Sequence, residues 1–114
     1  MIDSYATGSH MIVDGHTYQQ DLKIIRGQVK DNWWRKQGHR LDPSDIKDVV
    51  AARPEILVVG TGYAGNMQVP DSTRDMLSSH DISVIADITS KATTIYNQFV
   101  SEGKDVAGAF HLTC

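Results

Sequence analysis

The run Ile56-Leu57-Val58-Val59, followed at once by Gly60-Thr61-Gly62-Tyr63-Ala64-Gly65, constrains this chain more than any other stretch. Four apolar residues without polar alternation read as a strand buried on both faces, the kind that occurs in parallel sheets. The glycines spell G-x-G-x-x-G, and a second apolar run, Ile82-Ser83-Val84-Ile85-Ala86, ends at Asp87, 22 positions past Gly65. Strand, glycine turn and distant acid together form a dinucleotide-binding fingerprint. That use requires a helix to begin inside the loop, so that its N-terminus faces the phosphates. Here Asn66-Met67-Gln68-Val69-Pro70 intervenes, and the next helix-start signal is Pro70-Asp71-Ser72-Thr73. The preferred reading is a strand-to-loop turn whose glycines supply positive φ. Gly60, Thr61, Gly62 and Tyr63 remain candidate ligand-binding residues, because the carboxyl ends of parallel strands are where α/β sheets bind ligands.

The flanking segments complete a strand–helix alternation. Asp42 reads as an N-cap, with Pro43 at the first helical position, Asp45 in the first turn, and Leu41 and Ile46 as a hydrophobic staple. Pro54 ends that helix. A second helix opens at 70–73 with Met76 and Leu77 inward. Thr89 is expected to cap a third, in which Ala92, Ile95, Tyr96, Phe99 and Val100 follow helical spacing and Gly103 fits the C′ position. Residues 106–112 read as a last strand. Residues 2–30 read as β: a polar–apolar stretch through Val13 meets the hairpin signal Asp14-Gly15, and Leu22 to Ile25 forms a further strand closed by Gly27. The fold class expected is α/β with α+β character: one domain, 1–114, with a parallel βαβαβ core and an added N-terminal β-hairpin or small β layer.

Further candidates for chemistry lie outside the glycine loop. Trp33-Trp34-Arg35-Lys36-Gln37-Gly38-His39-Arg40 is expected to be irregular. One tryptophan is expected in the core and the other over a pocket or partner surface, while Arg35 and His39 could hold a carboxylate or phosphate. Asp87 and Thr89 fall at a strand-to-helix junction beside the glycine loop. His111 and Cys114 invite comparison with a histidine-activated thiol. On a continuing strand, however, positions i and i+3 face opposite sides, so the two meet only if the chain bends. No metal site is expected: the five histidines are scattered, with no i, i+4 pair and no C-x-x-C.

Composition narrows the partners. The formal net charge is −3 and the basic residues do not cluster, which argues against nucleic acid or a membrane surface. No apolar run approaches the roughly 20 residues a membrane span needs. The opening residues lack a signal-peptide pattern, and the single cysteine excludes an internal disulfide. A cytoplasmic location is expected.

Taken in order, Ser4-Tyr5 through Gly8, Val13-Asp14-Gly15, Tyr18, Asp21, Trp33-Trp34-Arg35 with Gly38-His39, the 56–65 block, Thr89 with Ala92, Tyr96-Asn97 and His111-Leu112-Thr113-Cys114 resemble the Mth938-like family of unknown function. Its relatives include a eukaryotic adipogenesis-associated protein and a mitochondrial complex I assembly factor. The resemblance implies a three-layer fold with a mixed central sheet, helices on one side and β structure on the other. It implies no settled activity, though the eukaryotic relatives act through protein partners. The functional expectation is therefore a domain that binds a protein partner or a small anionic ligand, without catalysis and without a cofactor, and a homodimer is compatible with it. The alternative is an enzyme using a nucleotide or dinucleotide at the glycine loop.

Overall fold

The computed structural model describes residues 1–114. Three strands at the N-terminus, β1 (Ile2–Ala6), β2 (His10–Val13) and β3 (His16–Tyr18), form a small antiparallel meander. Five more form the main sheet: β4 (Leu22–Ile25), β5 (Gln28–Lys30), β6 (Ile56–Thr61), β7 (Ser83–Asp87) and β8 (Val106–His111), in the order β5-β4-β8-β6-β7. The helices are α1 (Lys47–Ala52), entered through a 3-10 turn at Pro43–Ile46, α2 (Asp71–Ser79) and α3 (Thr89–Ser101).

The turns follow their residues. Asp14 and Gly15 take φ of 48° and 82°, as the two-residue hairpin between β2 and β3 demands. Arg53, at φ 50°, closes α1 before Pro54. Gly103 occupies the left-handed position after α3 and donates to the Val100 carbonyl. Leu41 and Ile46 are fully buried beside the first helix. One turn escapes the sequence pattern. The stretch 2–13 contains a hairpin of its own, in which Gly8 has φ 69° and Ser9 N–H donates to Ala6, so the N-terminal layer has three strands.

β6 runs parallel to both neighbours, and β8 is antiparallel to β4. The main sheet is thus mixed around a parallel core. Its alternation sorts two sets of core residues. Leu57, Val59, Ala107, Ala109 and Ile25 meet Ile46 and Val49 of the first helical segment and Leu77 of α2. Val58, Val106, Phe110, Leu22 and Ile24 meet Ile2, Met11 and Val13 of the small sheet together with Ala92 and Tyr96 of α3. The layers expected from the resemblance hold with one change: α3 shares the face of the small sheet. Chain handedness requires this. The crossover from β6 to β7 and the crossover from β7 back over β6 to β8 run in opposite directions, so right-handed connections place α2 and α3 on opposite faces.

Candidate functional site

The carboxyl ends of β6, β7 and β8 lie side by side, with Gly60 opposite Asp87 on one side and Phe110 on the other. The glycine loop leaves this edge and is met by the chain's own residues 112–114. Gly62 has φ 102°, and a Cβ there would lie 2.4 Å from the Cys114 carbonyl carbon and from the Thr113 oxygen. Glycine is required at this position by both conformation and close backbone approach. Four amides of this segment are engaged within the chain. Gly62 N–H donates to Thr89 Oγ1 (2.9 Å), and Gly65 N–H to Gly62, Asn66 N–H to Cys114 and Met67 N–H to Thr61. Thr61 donates its hydroxyl to the Asp87 carbonyl.

Thr89 is not the N-cap of α3. That position falls to Ile88, whose N–H is taken by the Asp87 carboxylate. The buried Thr89 hydroxyl instead accepts from Gly62 and donates to the His111 carbonyl at 2.6 Å. It ties the glycine loop to the end of β8.

Beyond that tail lies a cavity of about 440 Å³ lined by residues of the Trp loop, Gln19, Gln20, Asp21, His111 and Thr113. Trp33 is buried, its indole N–H donating to the Asp45 carbonyl at 3.1 Å. Two cations flank its ring, Lys23 at 5.4 Å and Arg35 at 4.9 Å from the centroid. Trp34 is 80% exposed at the cavity rim. Arg35 does not reach into solvent. Its guanidinium donates to Asp21 at 2.8 Å and to the Gly38 carbonyl, which folds the loop back on itself.

Asp21 is the hub that sequence reasoning did not nominate as a site residue. Its carboxylate takes Arg35 and His111 Nδ1 (2.7 Å) on one oxygen and the Leu112 N–H (2.8 Å) on the other. Burial by itself would push this carboxyl up. The bonds from His111, Leu112 and Arg35, with the charge of His111, outweigh it and hold the group below the ordinary aspartate value. Toward the ionised Asp21 carboxylate, which can only accept, His111 Nδ1 is the donor, and the same nitrogen lies 3.1 Å from Arg35 Nη2. Nε2 is buried and has no hydrogen-bond partner in the protein. Nothing in the local spacing marks Asp21, because its partners are 14 and 90 residues away.

The structure sorts the candidates into two groups. Trp33, Trp34, Arg35 and His111 line the cavity. Gly60, Thr61, Gly62, Asp87 and Thr89 form the strand-end knot on the far side of the tail, and Tyr63 is half-exposed against Gly8. His39 is exposed, its ring 5.7 Å from that of His111. The chain does bend after β8: Cys114 has φ 33°, and its Sγ comes within 4.8 Å of ring nitrogens of His39 and His111. The face alternation that separates His111 from Cys114 in a straight strand therefore does not apply.

A mixed five-stranded sheet, backed by a small β meander and helices on both faces and closed at its strand ends by its own tail, defines a class of small single-domain α/β protein. The match to known families is specific. This chain belongs to the family described as protein of unknown function (DUF498/DUF598), whose profile covers residues 2–111. Its fold is that of the Mth938-like domain. The conserved hypothetical protein PH1505 of Pyrococcus horikoshii superimposes with a TM-score of 0.84 at 22% identity, covering 100% of this chain and 99% of that one. MT938 gives 0.80 at 24% identity over 100% and 98%. A Mth938-like domain from Bordetella pertussis gives 0.70 at 20% identity over 98% and 85%. No helix of this chain is long and apolar enough to cross a membrane.

Proposed function

We propose that this protein is a binding domain without chemistry of its own, and that it holds a protein partner against the face around Trp34. Trp34 carries this reading: it is 80% exposed beside a cavity of about 440 Å³. A large apolar side chain left in water forgoes roughly 1.5–3 kcal/mol of burial. The loop beneath it is held by buried Trp33 and by the Arg35–Asp21 pair, so the indole is presented on a fixed base. Tryptophan is prominent among residues that dominate interface energetics, and Gln19, Gln20 and Thr113 supply the polar rim such an anchor needs.

Two other expectations receive less support. Selection of a small anion by Arg35 would compete with the acceptors its guanidinium already serves. A nucleotide at the glycine loop would find the amides of Gly62, Gly65, Asn66 and Met67 already bonded.

Capture of partners on immobilised protein tests the proposal. Wild type retains a defined partner, and Trp34→Ala loses it while keeping the wild-type melting temperature. A partner that is a second copy of this chain appears as a concentration-dependent dimer in wild type alone. Equal capture by wild type and Trp34→Ala overturns the reading.

A further inference from the structure

Three donors that no linear pattern joins meet past the end of β8. A ring nitrogen of His39, a ring nitrogen of His111 and the Cys114 thiol sulfur lie within 4.8 Å of one another. Each comes from a segment held by its own bonds. The His39 carbonyl accepts from Gln68 N–H, His111 ends β8 and is gripped by Asp21, and the Cys114 carbonyl accepts from Asn66 N–H. His111 is only 7% exposed in its side chain, and its Nε2 is left without a partner. Buried polar atoms in native proteins rarely stay unpaired, so this nitrogen calls for an occupant.

We infer that His39, His111 and Cys114 form a site for one zinc-class divalent cation, with Cys114 Sγ, His111 Nε2 and a ring nitrogen of His39 as protein ligands and the fourth position open to solvent. The donor chemistry selects the ion. One thiolate with two imidazoles suits zinc-like, borderline-soft metals and is poor for magnesium or calcium. Tetrahedral binding asks for donor separations of roughly 3.5 Å, which rotation of the exposed His39 ring and of the Cys114 side chain can reach. The Asp21 carboxylate on Nδ1 is the hydrogen-bond partner that metal-binding histidines nearly always carry on their other ring nitrogen. Two imidazoles around one thiol also exceed what a nucleophile and its base require. Binding releases the Cys114 thiol proton to solvent and leaves His111 Nδ1–H on Asp21. The scattered histidines argued against a metal because ligands drawn from three separate segments leave no spacing to find.

The test uses the full chain without a polyhistidine tag, reduced with a phosphine and titrated with Co²⁺ and then Zn²⁺. Wild type is expected to bind one equivalent of Co²⁺ with a thiolate-to-cobalt charge-transfer band that Zn²⁺ abolishes. Cys114→Ser removes the band, and His39→Ala weakens binding by about tenfold or more. Both positions are at least partly exposed, so circular dichroism should show both variants folded. His16→Ala, on β3, leaves binding unchanged. The site is overturned by absence of saturable binding in wild type, by binding without the band, by undiminished affinity in Cys114→Ser and His39→Ala, or by loss of binding in His16→Ala.

Discussion

The glycine loop and the tryptophan loop exchange the roles their sequences advertise. The first carries a ligand-binding motif, yet its turn is occupied by the chain's own residues 113 and 114, and the amides of Gly62, Gly65, Asn66 and Met67 serve the fold. The second carries no regular pattern, yet it frames the cavity and presents an 80%-exposed indole. A glycine motif reports where backbone must come close to something. What comes close is settled by hydrogen-bond accounting, and here it is the tail.

Mutations can break this comparison, and the largest effect is expected where the tryptophan loop is tied to the end of β8. Asp21→Ala leaves Arg35 and His111 buried without their common partner and should cost about 3–5 kcal/mol in chemical denaturation. Retention of wild-type stability would mean that the Arg35–Asp21–His111 cluster does not hold the loop. The same residue sets an acid limb. Its carboxyl is lowered in the folded state, so its contribution is present above the unfolded value of 3.8 and is lost as pH falls through the lower folded value. A pH series of unfolding free energies should show wild type losing stability below about pH 4. Asp21→Asn should lack that component.

Gly62→Val comes next, at about 2–4 kcal/mol, because it adds backbone strain to a collision with Thr113 and Cys114. A folded Gly62→Val protein with a wild-type denaturation midpoint would show that the tail can leave the loop. Thr89→Val removes the hydroxyl that bridges Gly62 N–H and the His111 carbonyl. It should cost about 1–3 kcal/mol, and faster hydrogen exchange at Gly62 would report the lost acceptor. Trp34→Ala should change stability by no more than about 0.5 kcal/mol. A large loss there would place the indole in the core and remove the contrast between the two loops.

Local physics made much of the fold legible. Asp42-Pro43, the unbroken apolar run at 56–59, the largely apolar stretch at 82–86, and the helical spacing from Ala92 to Val100 each fix an element through neighbours a few residues away. The hairpin at Thr7-Gly8-Ser9 was missed because weak alternation continues across it. The site was less legible because it is built from distance. Asp21 gains its meaning from residues 35 and 111, and the meeting of His39, His111 and Cys114 depends on a bend that no periodicity encodes. Thr89 looked like a cap because threonine before a helix usually is one. Its bridging role needed the positions of Gly62 and His111.

The strand order has a consequence for how the molecule is made. β8, the last strand in sequence, lies between β4 and β6, near the middle of the main sheet. Until it docks, the chain holds two separate half-sheets, β5-β4 and β6-β7, each with a bare edge that invites foreign pairing. Asp21 and Arg35 cannot acquire His111 before that moment, and the tail cannot reach the glycine loop. The two halves become one sheet only when the central strand inserts between them, a long-range closure of the kind that folds slowly. The surface around Trp34 and the three-donor cluster both depend on that one insertion.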